Sequence, residues 1–397
     1  MGIEIMDYHL LVKFGEVVVP VTTNNLRELT IVQDLNAFLP EFRLRLKDVS
    51  GSLTHVIPSD KNINDIFIEI GSSPSGIDKN SFQFVAYDKK PIGDQSNPST
   101  MYDVTGLLDI PMMFAPSRSR AHSGNISSSL SSVALSEFQV DSTEISPSLA
   151  YSKTLLQPQW SNIQFLKWLR ENVIGRNSEY GFKCFIKREN SKTVFVFKSL
   201  KELTEEPISY KFVVNAEASH DYLPVFKYSI FDYYKLYGSF ASKKQEYGYF
   251  DYDTSEFVTR EEQSQDYTSL ADYWLIDGND SEDSDAIVDL GRSNSFTSDF
   301  GGRVKSSFSN RLMSLAKMWI TTIGTSGAVP GQIVQIFFPH GSRSGGLYSY
   351  QYSGYWLVER VVHNIGEVFI TKLLLTRNGV DTDKSTTLVK STNVRSS

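Results

Sequence analysis

Six histidines and one cysteine are the side chains of this 397-residue chain best suited to hold a metal or to act as base and nucleophile near neutral pH. The histidines, His9, His55, His122, His220, His340 and His363, are scattered, and no H-E-x-x-H or other paired spacing occurs. A zinc hydrolase would lack ligands. Cys184 lies within an apolar, strand-like run with no neighbouring base, "GTSGA" is not a G-x-S-x-G elbow, and the glycines of "GSSPSGIDK" and "DFGGRVKSS" do not precede Lys and Ser or Thr as in a phosphate-cradling loop. The 46 acidic residues could supply a carboxylate pair for glycoside hydrolysis, but sequence fixes no distance between them. They concentrate between Glu246 and Asp289, where 14 Asp or Glu face one basic residue, Arg260. Within that run "DGNDSEDSDAIVD" offers the oxygens a calcium ion wants. Asp277, Asp280 and Glu282 miss the EF-hand spacing, however, and no Gly occupies its sixth position. A solvated acidic insertion over 241–305 is expected instead. The reading is therefore no catalytic residue, no cofactor-binding residue, no metal ligand, no cofactor, and not an enzyme.

The elements that would position any site are mostly strands. Aromatic residues make up 13% of the chain, 25 of them Phe and 20 Tyr, which favours pleated structure. Length predicts two to four domains, since single cores stop growing near ~250 residues. A net charge of -7 argues against general affinity for duplex nucleic acid. The single cysteine excludes an intrachain disulfide and fits folding in a reducing cytoplasm. The start "MGIEIMDYHLLVKFG" is acidic where a secretory leader is basic, so it reads as a first strand. Met6 stands where a myristoylation signal wants Ser or Thr, and no apolar run approaches the ~18 residues of a membrane span. A soluble protein without membrane insertion is expected.

Strands are predicted at 8–14, 17–22, 28–34, 41–48, 65–70, 81–88 and 101–108. Alternation is clean in two of them: Phe42, Leu44 and Leu46 oppose Arg43, Arg45 and Lys47, while Ile66, Ile68 and Ile70 alternate with Phe67 and Glu69. Pro20 confines its strand to an edge or a bulge. A run with 13 serines over 117–152 predicts a short helix near 127–137, with Leu130, Val133 and Ala134 at helical spacing, and a strand at "FQVDS". "WSNIQFLKWLRENVIG" predicts a helix with a Ser161/Gln164 capping box, a stripe of Ile163, Leu166, Leu169 and Val173 widened by Phe165 and Trp168, and a stop near Gly175. A cofactor box is possible at such spacing; core packing is the reading adopted. A hairpin with the turn "RENSK" follows, then a strand pair from Pro207 through "PVFKYSIFDYYKLYGSF". Beyond the acidic insertion, "SSFSNRLMSLAKM" suggests a helix with Phe308, Leu312 and Leu315 on one side, and "WITTIGTSGAVPGQIVQIFFP" two strands across a Gly-Pro-rich turn. After the Gly-rich "HGSRSGG" comes a hairpin, 355–362 and 369–377, bent at Asn364, Ile365 and Gly366. Its first strand has apolar residues on both faces, implying cover on two sides. His363 beside the bend reads as a hydrogen-bonded structural histidine.

The order of these parts, with Trp160 near a helix start, Pro330 and Gly331 before an apolar strand, and a later strand reading Tyr355, Leu357 or Val358, Val361 and His363, resembles the central baseplate hub protein of contractile-tailed bacteriophages and, more distantly, the hub part of type VI secretion spike proteins. The resemblance implies a mainly β fold with an α+β middle and two tube-like antiparallel β-barrels. One barrel would span 1–112 and the other would be discontinuous, 223–240 with 306–380. A mixed middle domain over 113–222 would carry the 241–305 insertion, and 381–397 would form a flexible tail. It further implies a homotrimeric ring adapting a sixfold tail tube to a threefold central spike. Its partners would be the spike, the tail tube protein, the wedge proteins and DNA passing without tight binding. Its place would be the virion tail baseplate, after assembly in the host cytoplasm. The alternative is a carbohydrate-active or host-receptor-binding tail protein whose surplus aromatics form a sugar platform.

Overall fold

Alternation does in three dimensions what it does in sequence. In the computed structural model Phe42, Leu44 and Leu46 are buried while Glu41 and Arg43 are exposed, and Ile66, Ile68 and Ile70 are fully covered. The structure describes residues 7–22, 24–48, 65–75, 78–92, 100–114, 118–122, 125–147, 155–173, 175, 181–214, 221–232, 244–251, 255–263, 273–274, 286–292, 309–310, 313–338 and 352–380. Phe308, Leu312, the "HGSRSGG" stretch, Asp277, Asp280, Glu282 and the 381–397 tail lie outside them.

Seven strands come first: β1 (His9–Phe14), β2 (Val17–Val19), β3 (Leu26–Asp34), β4 (Glu41–Asp48), β5 (Asp65–Gly71), β6 (Lys79–Ile92) and β7 (Thr100–Leu108). They form an antiparallel sheet in the order β2-β1-β5-β6-β7-β4-β3. β2 stops before Pro20 and takes the edge, as a residue lacking an N–H requires.

The middle holds β8 (Arg118–His122), α1 (Ile126–Ser136), β9 (Ser142–Ile145), β10 (Leu155–Trp160), α2 (Asn162–Asn172), β11 (Lys183–Glu189), β12 (Lys192–Lys198) and α3 (Leu200–Thr204). Both halves of the α2 capping box form, with Ser161 N–H donating to Gln164 Oε1 at 3.0 Å. The helix ends at Val173, whose extended backbone (ψ 139°) stops it before Gly175. "FQVDS" is a turn, not a strand: Gln139 has a φ of 52°, and the strand starts only at Ser142, parallel to β12. The three-stranded sheet β11-β12-β9 is buried on both faces. Cys184, Ile186, Phe195 and Phe197 pack with the N-terminal sheet, α1 and α2. Phe185, Val194 and Val196 pack with Leu35, Ile333 and Leu357 on the other side.

The remaining strands are β13 (Ile208–Val214), β14 (Leu223–Asp232), β15 (Lys244–Asp251), β16 (Glu256–Gln263), β17 (Tyr273–Trp274), β18 (Ala286–Arg292), β19 (Ala316–Ile323), β20 (Ile333–Phe337), β21 (Gly354–Ile365), β22 (Phe369–Arg377) and β23 (Gly379–Val380). Six of them close on themselves in the cyclic order β21-β20-β13-β14-β19-β22. The fold is thus mainly β, with a closed six-stranded barrel, a mixed middle and further strands.

Several local expectations are corrected. The strand pair after Pro207 forms as β13 and β14, but β13, expected within the middle domain 113–222, runs parallel to both β14 and β20 and joins the barrel. β19 and β20 are not neighbours; β13 and β14 separate them. The helix over 306–318 gives way to strand at Ala316, because Ala316, Met318 and Ile320 alternate into the barrel core. The final hairpin turns at 366–368, one step beyond the expected bend, since Ile365 still pairs with Phe369. Part of the acidic insertion is ordered as a sheet, β16-β15-β18. The N-terminal sheet has no ladder between β2 and β3 among the described residues; β3 pairs instead with β21.

Candidate functional site

Chemistry-bearing side chains are dispersed. His9 Nε2 lies 2.7 Å from Glu69 Oε1, and His122 stacks on Phe165 at 4.8 Å. His55, His220 and His340 lie outside the described residues. Burial raises the Cys184 thiol far above its ordinary range, so the sulfur is no nucleophile. Among the described residues no group of three His, Cys, Asp or Glu could share a metal ion, and no helix is long and apolar enough to cross a membrane. Phe165 and Trp168 pack into the core, as the stripe of α2 predicts.

What the residues do build is a seam. The first half of β21, Gly354 to Leu357, pairs with β20, its second half, Arg360 to Ile365, pairs with β3, and β22 pairs with it from Leu357 to Ile365. One strand therefore belongs to the barrel and to the N-terminal sheet. The switch is a bulge at Glu359, where the β22 register slips between Val358 and Arg360. Before it Trp356 and Val358 face the core; after it Val361, His363 and Ile365 do. A bulge changes the parity of a strand, and Leu357 is buried against the middle sheet, so both causes put apolar residues on both faces.

Polar groups pin the bulge. Glu359 O accepts from Leu35 N–H at 2.8 Å, and its carboxylate accepts from Lys317 Nζ at 2.8 Å and Asn36 Nδ2 at 3.1 Å. Arg360 Nε donates to Asp34 Oδ2 at 2.6 Å. From the other side the Pro330–Gly331 turn closes in: Gly331 has a φ of 87°, open to glycine at little cost, and its N–H donates to Val358 O at 2.9 Å. A side chain there would begin 3.2 Å from the Phe185 ring.

Inside the barrel Trp356 is fully buried, donates Nε1–H to Tyr352 O at 3.0 Å, and lies 4.7 Å beneath the Arg377 guanidinium. His363 is fully buried, with Nδ1 3.3 Å from Thr371 Oγ1 and its ring edge-on to Phe369. Burial pushes its pKa down to about 4, outweighing the Ala328 backbone, which favours the charged form. His363 is part of the frame. Asn36, Asp34, Lys317 and Glu359 were missed in the sequence because the bulge that gathers them appears there only as a change of parity between Val358 and Val361.

No family model matches the chain, and no curated protein matches it in sequence. Solved structures match in fold. A tail protein from Neisseria meningitidis superposes with a TM-score of 0.58 at 11% identity, covering 94% of this chain and 97% of that one. A 43 kDa tail protein of a Shewanella oneidensis prophage gives 0.57 at 9% identity, with coverages of 94% and 98%. An E. coli type VI secretion component, described as similar to T4 bacteriophage tail proteins, gives 0.52 at 8% identity, with coverages of 92% and 76%. The chain has the fold of these phage-tail and secretion-system proteins.

Proposed function

We propose that the chain is a structural hub of a contractile tail's baseplate, acting as a homotrimeric ring between a sixfold tail tube and a threefold spike. The observation that carries the reading is the edge-to-edge union of two β modules through the shared strand β21, in a fold matched over 94% of the chain by phage tail proteins. Two modules per subunit give a trimer six rim positions, which is the arithmetic a three-to-six adaptor needs. In this reading 1–112 supplies one module, and 223–240 with 306–380, joined by β13, supplies the other. The acidic balance, -7 per chain, suits a channel through which DNA slides without being held. Tube, spike and wedge proteins are the proposed partners, and the virion baseplate the proposed place. Mass photometry of the full chain with its spike partner tests the stoichiometry, and electron microscopy tests for a ring with a central hole. A strictly monomeric species at micromolar concentration in that mixture overturns the proposal.

A further inference from the structure

Where the N-terminal sheet, the middle sheet and the barrel meet, a cleft of about 460 Å³ opens beside the seam. Its lining includes the apolar side chains of Phe182 and Leu357 and the charged ones of Arg170, Lys183, Lys317 and Glu359, with Glu171 also bordering it. The two cations Lys183 and Arg170 stand apart from the ion pair. Lys317 is taken up by Glu359 at 2.8 Å. Neither Lys183 nor Arg170 has a carboxylate within ion-pair distance among the described residues. Both lean on Asn36 instead: Lys183 Nζ donates to its Oδ1 at 2.8 Å, and Arg170 Nη1 to its main-chain oxygen at 3.4 Å. The Arg170 guanidinium also lies 5.3 Å over the Phe38 ring, which fixes its direction. Two half-buried cations side by side on one wall repel one another, and Glu359 and Asp34 offset this only from beyond ion-pair distance of Lys183. Lys183 shows the effect. Burial holds its pKa down to about 8, with Arg170 and Lys317 adding to the depression and Glu359 and Asp34 opposing it.

We propose that this cleft binds an oxyanion, a carboxylate or a phosphate, between Lys183 and Arg170. The guanidinium supplies a planar fork and the ammonium a point charge, a pairing suited to either group. The inference holds whether or not the chain assembles into a ring.

The test uses the full chain, with inorganic phosphate and glutarate as probes at constant ionic strength balanced by chloride. Acylation of Lys183 by an amine-reactive ester at pH 8, read by peptide mass spectrometry, should slow roughly tenfold at an anion concentration about ten times its Kd, while exposed Lys90 keeps its rate. The anion should also raise Tm in the wild type and in Lys183→Arg, but not in Lys183→Gln or Arg170→Gln. Protection by phosphate alone identifies a free phosphate-like ion as the ligand; protection by glutarate alone identifies a carboxylate, such as a neighbouring chain would present. Equal slowing at Lys90, or no slowing at Lys183 by either anion, overturns the proposal. The acylation arm needs no variant, so a substitution that fails to fold does not blunt it.

Discussion

The N-terminal sheet takes seven strands from one stretch of the chain, all antiparallel, and among the described residues leaves a lateral edge at β2; the barrel takes six strands from separated stretches, uses two parallel ladders, and closes. Closure removes sheet edges, and an open sheet must manage the one it keeps. The barrel therefore carries its order within itself, in Trp356, Arg377 and His363, whereas the N-terminal sheet borrows order from β21 at one side and presents Val17 and Val18 at the other, 47% and 52% exposed. The comparison teaches that closure and an exposed edge are divided between the modules, and substitutions can separate them.

The largest effect is expected at Trp356. Trp356→Ala removes a fully buried ring and the platform beneath Arg377, costing about 3–5 kcal/mol in urea unfolding. Hydrogen exchange should show barrel amides losing protection before those of β4 to β7. Equal loss in both modules would mean a single cooperative unit and would break the comparison.

Acid should act first at the seam, through His363. His363 has a folded pKa of about 4 against the ordinary 6.5 of a solvated imidazole, so between those values the unfolded chain binds the extra proton. Stability attributable to this group is intact above pH 6.5 and falls as pH drops towards 4, by roughly 3 kcal/mol in all. In the N-terminal sheet Arg43 and Arg45 hold Asp103 below its ordinary range, so that contribution fades only at lower pH. Unfolding measured from pH 7 to 4 should lose part of its slope in His363→Asn, the rest staying with His122, whose pKa burial also lowers. An unchanged slope in that variant would locate the titration elsewhere.

A smaller effect is expected from Gly106→Ala in the open sheet. Its Cβ would fall 2.4 Å from Val85 O and 2.6 Å from the Phe42 ring, against backbone that cannot yield. The cost should be about 1–3 kcal/mol. Gly366→Ala, whose nearest neighbour is 3.5 Å away, serves as the control. Ser161→Ala, which removes the acceptor of the α2 capping box, should cost about 1 kcal/mol by thermal unfolding.

Both modules were legible in their strands but not in their pairings: the first, expected as a barrel over 1–112, has no β2–β3 ladder among the described residues. In β4 and β5 local alternation fixes which face is buried, but their pairings with β7 and β1 join strands distant in the chain. In the barrel the partners of β13 lie on either side of it only after strands far along the chain return, and nothing local to Tyr210 or Phe212 records that. Helix α2 could be read because its cap is local. The cleft at Lys183 could not, since its walls come from three modules and Lys183 and Arg170 are brought together only in space.

The smallest expected change in stability is also the sharpest test of the division of labour. Val18 lies on the edge strand β2, opposite Lys13, and half of its surface is exposed, so Val18→Lys should shift unfolding by no more than about 0.5 kcal/mol. Its consequence lies in assembly. An inward-facing or edge lysine opposes strand addition, because docking a second sheet there would bury its ammonium beside the ladder. If the open edge joins one copy to the next, sedimentation velocity of Val18→Lys should show dissociation at concentrations where the wild type stays associated, with Tm unchanged. A variant that assembles as the wild type does would show that β2 is a bare rim, and the ring would have to be closed by another surface.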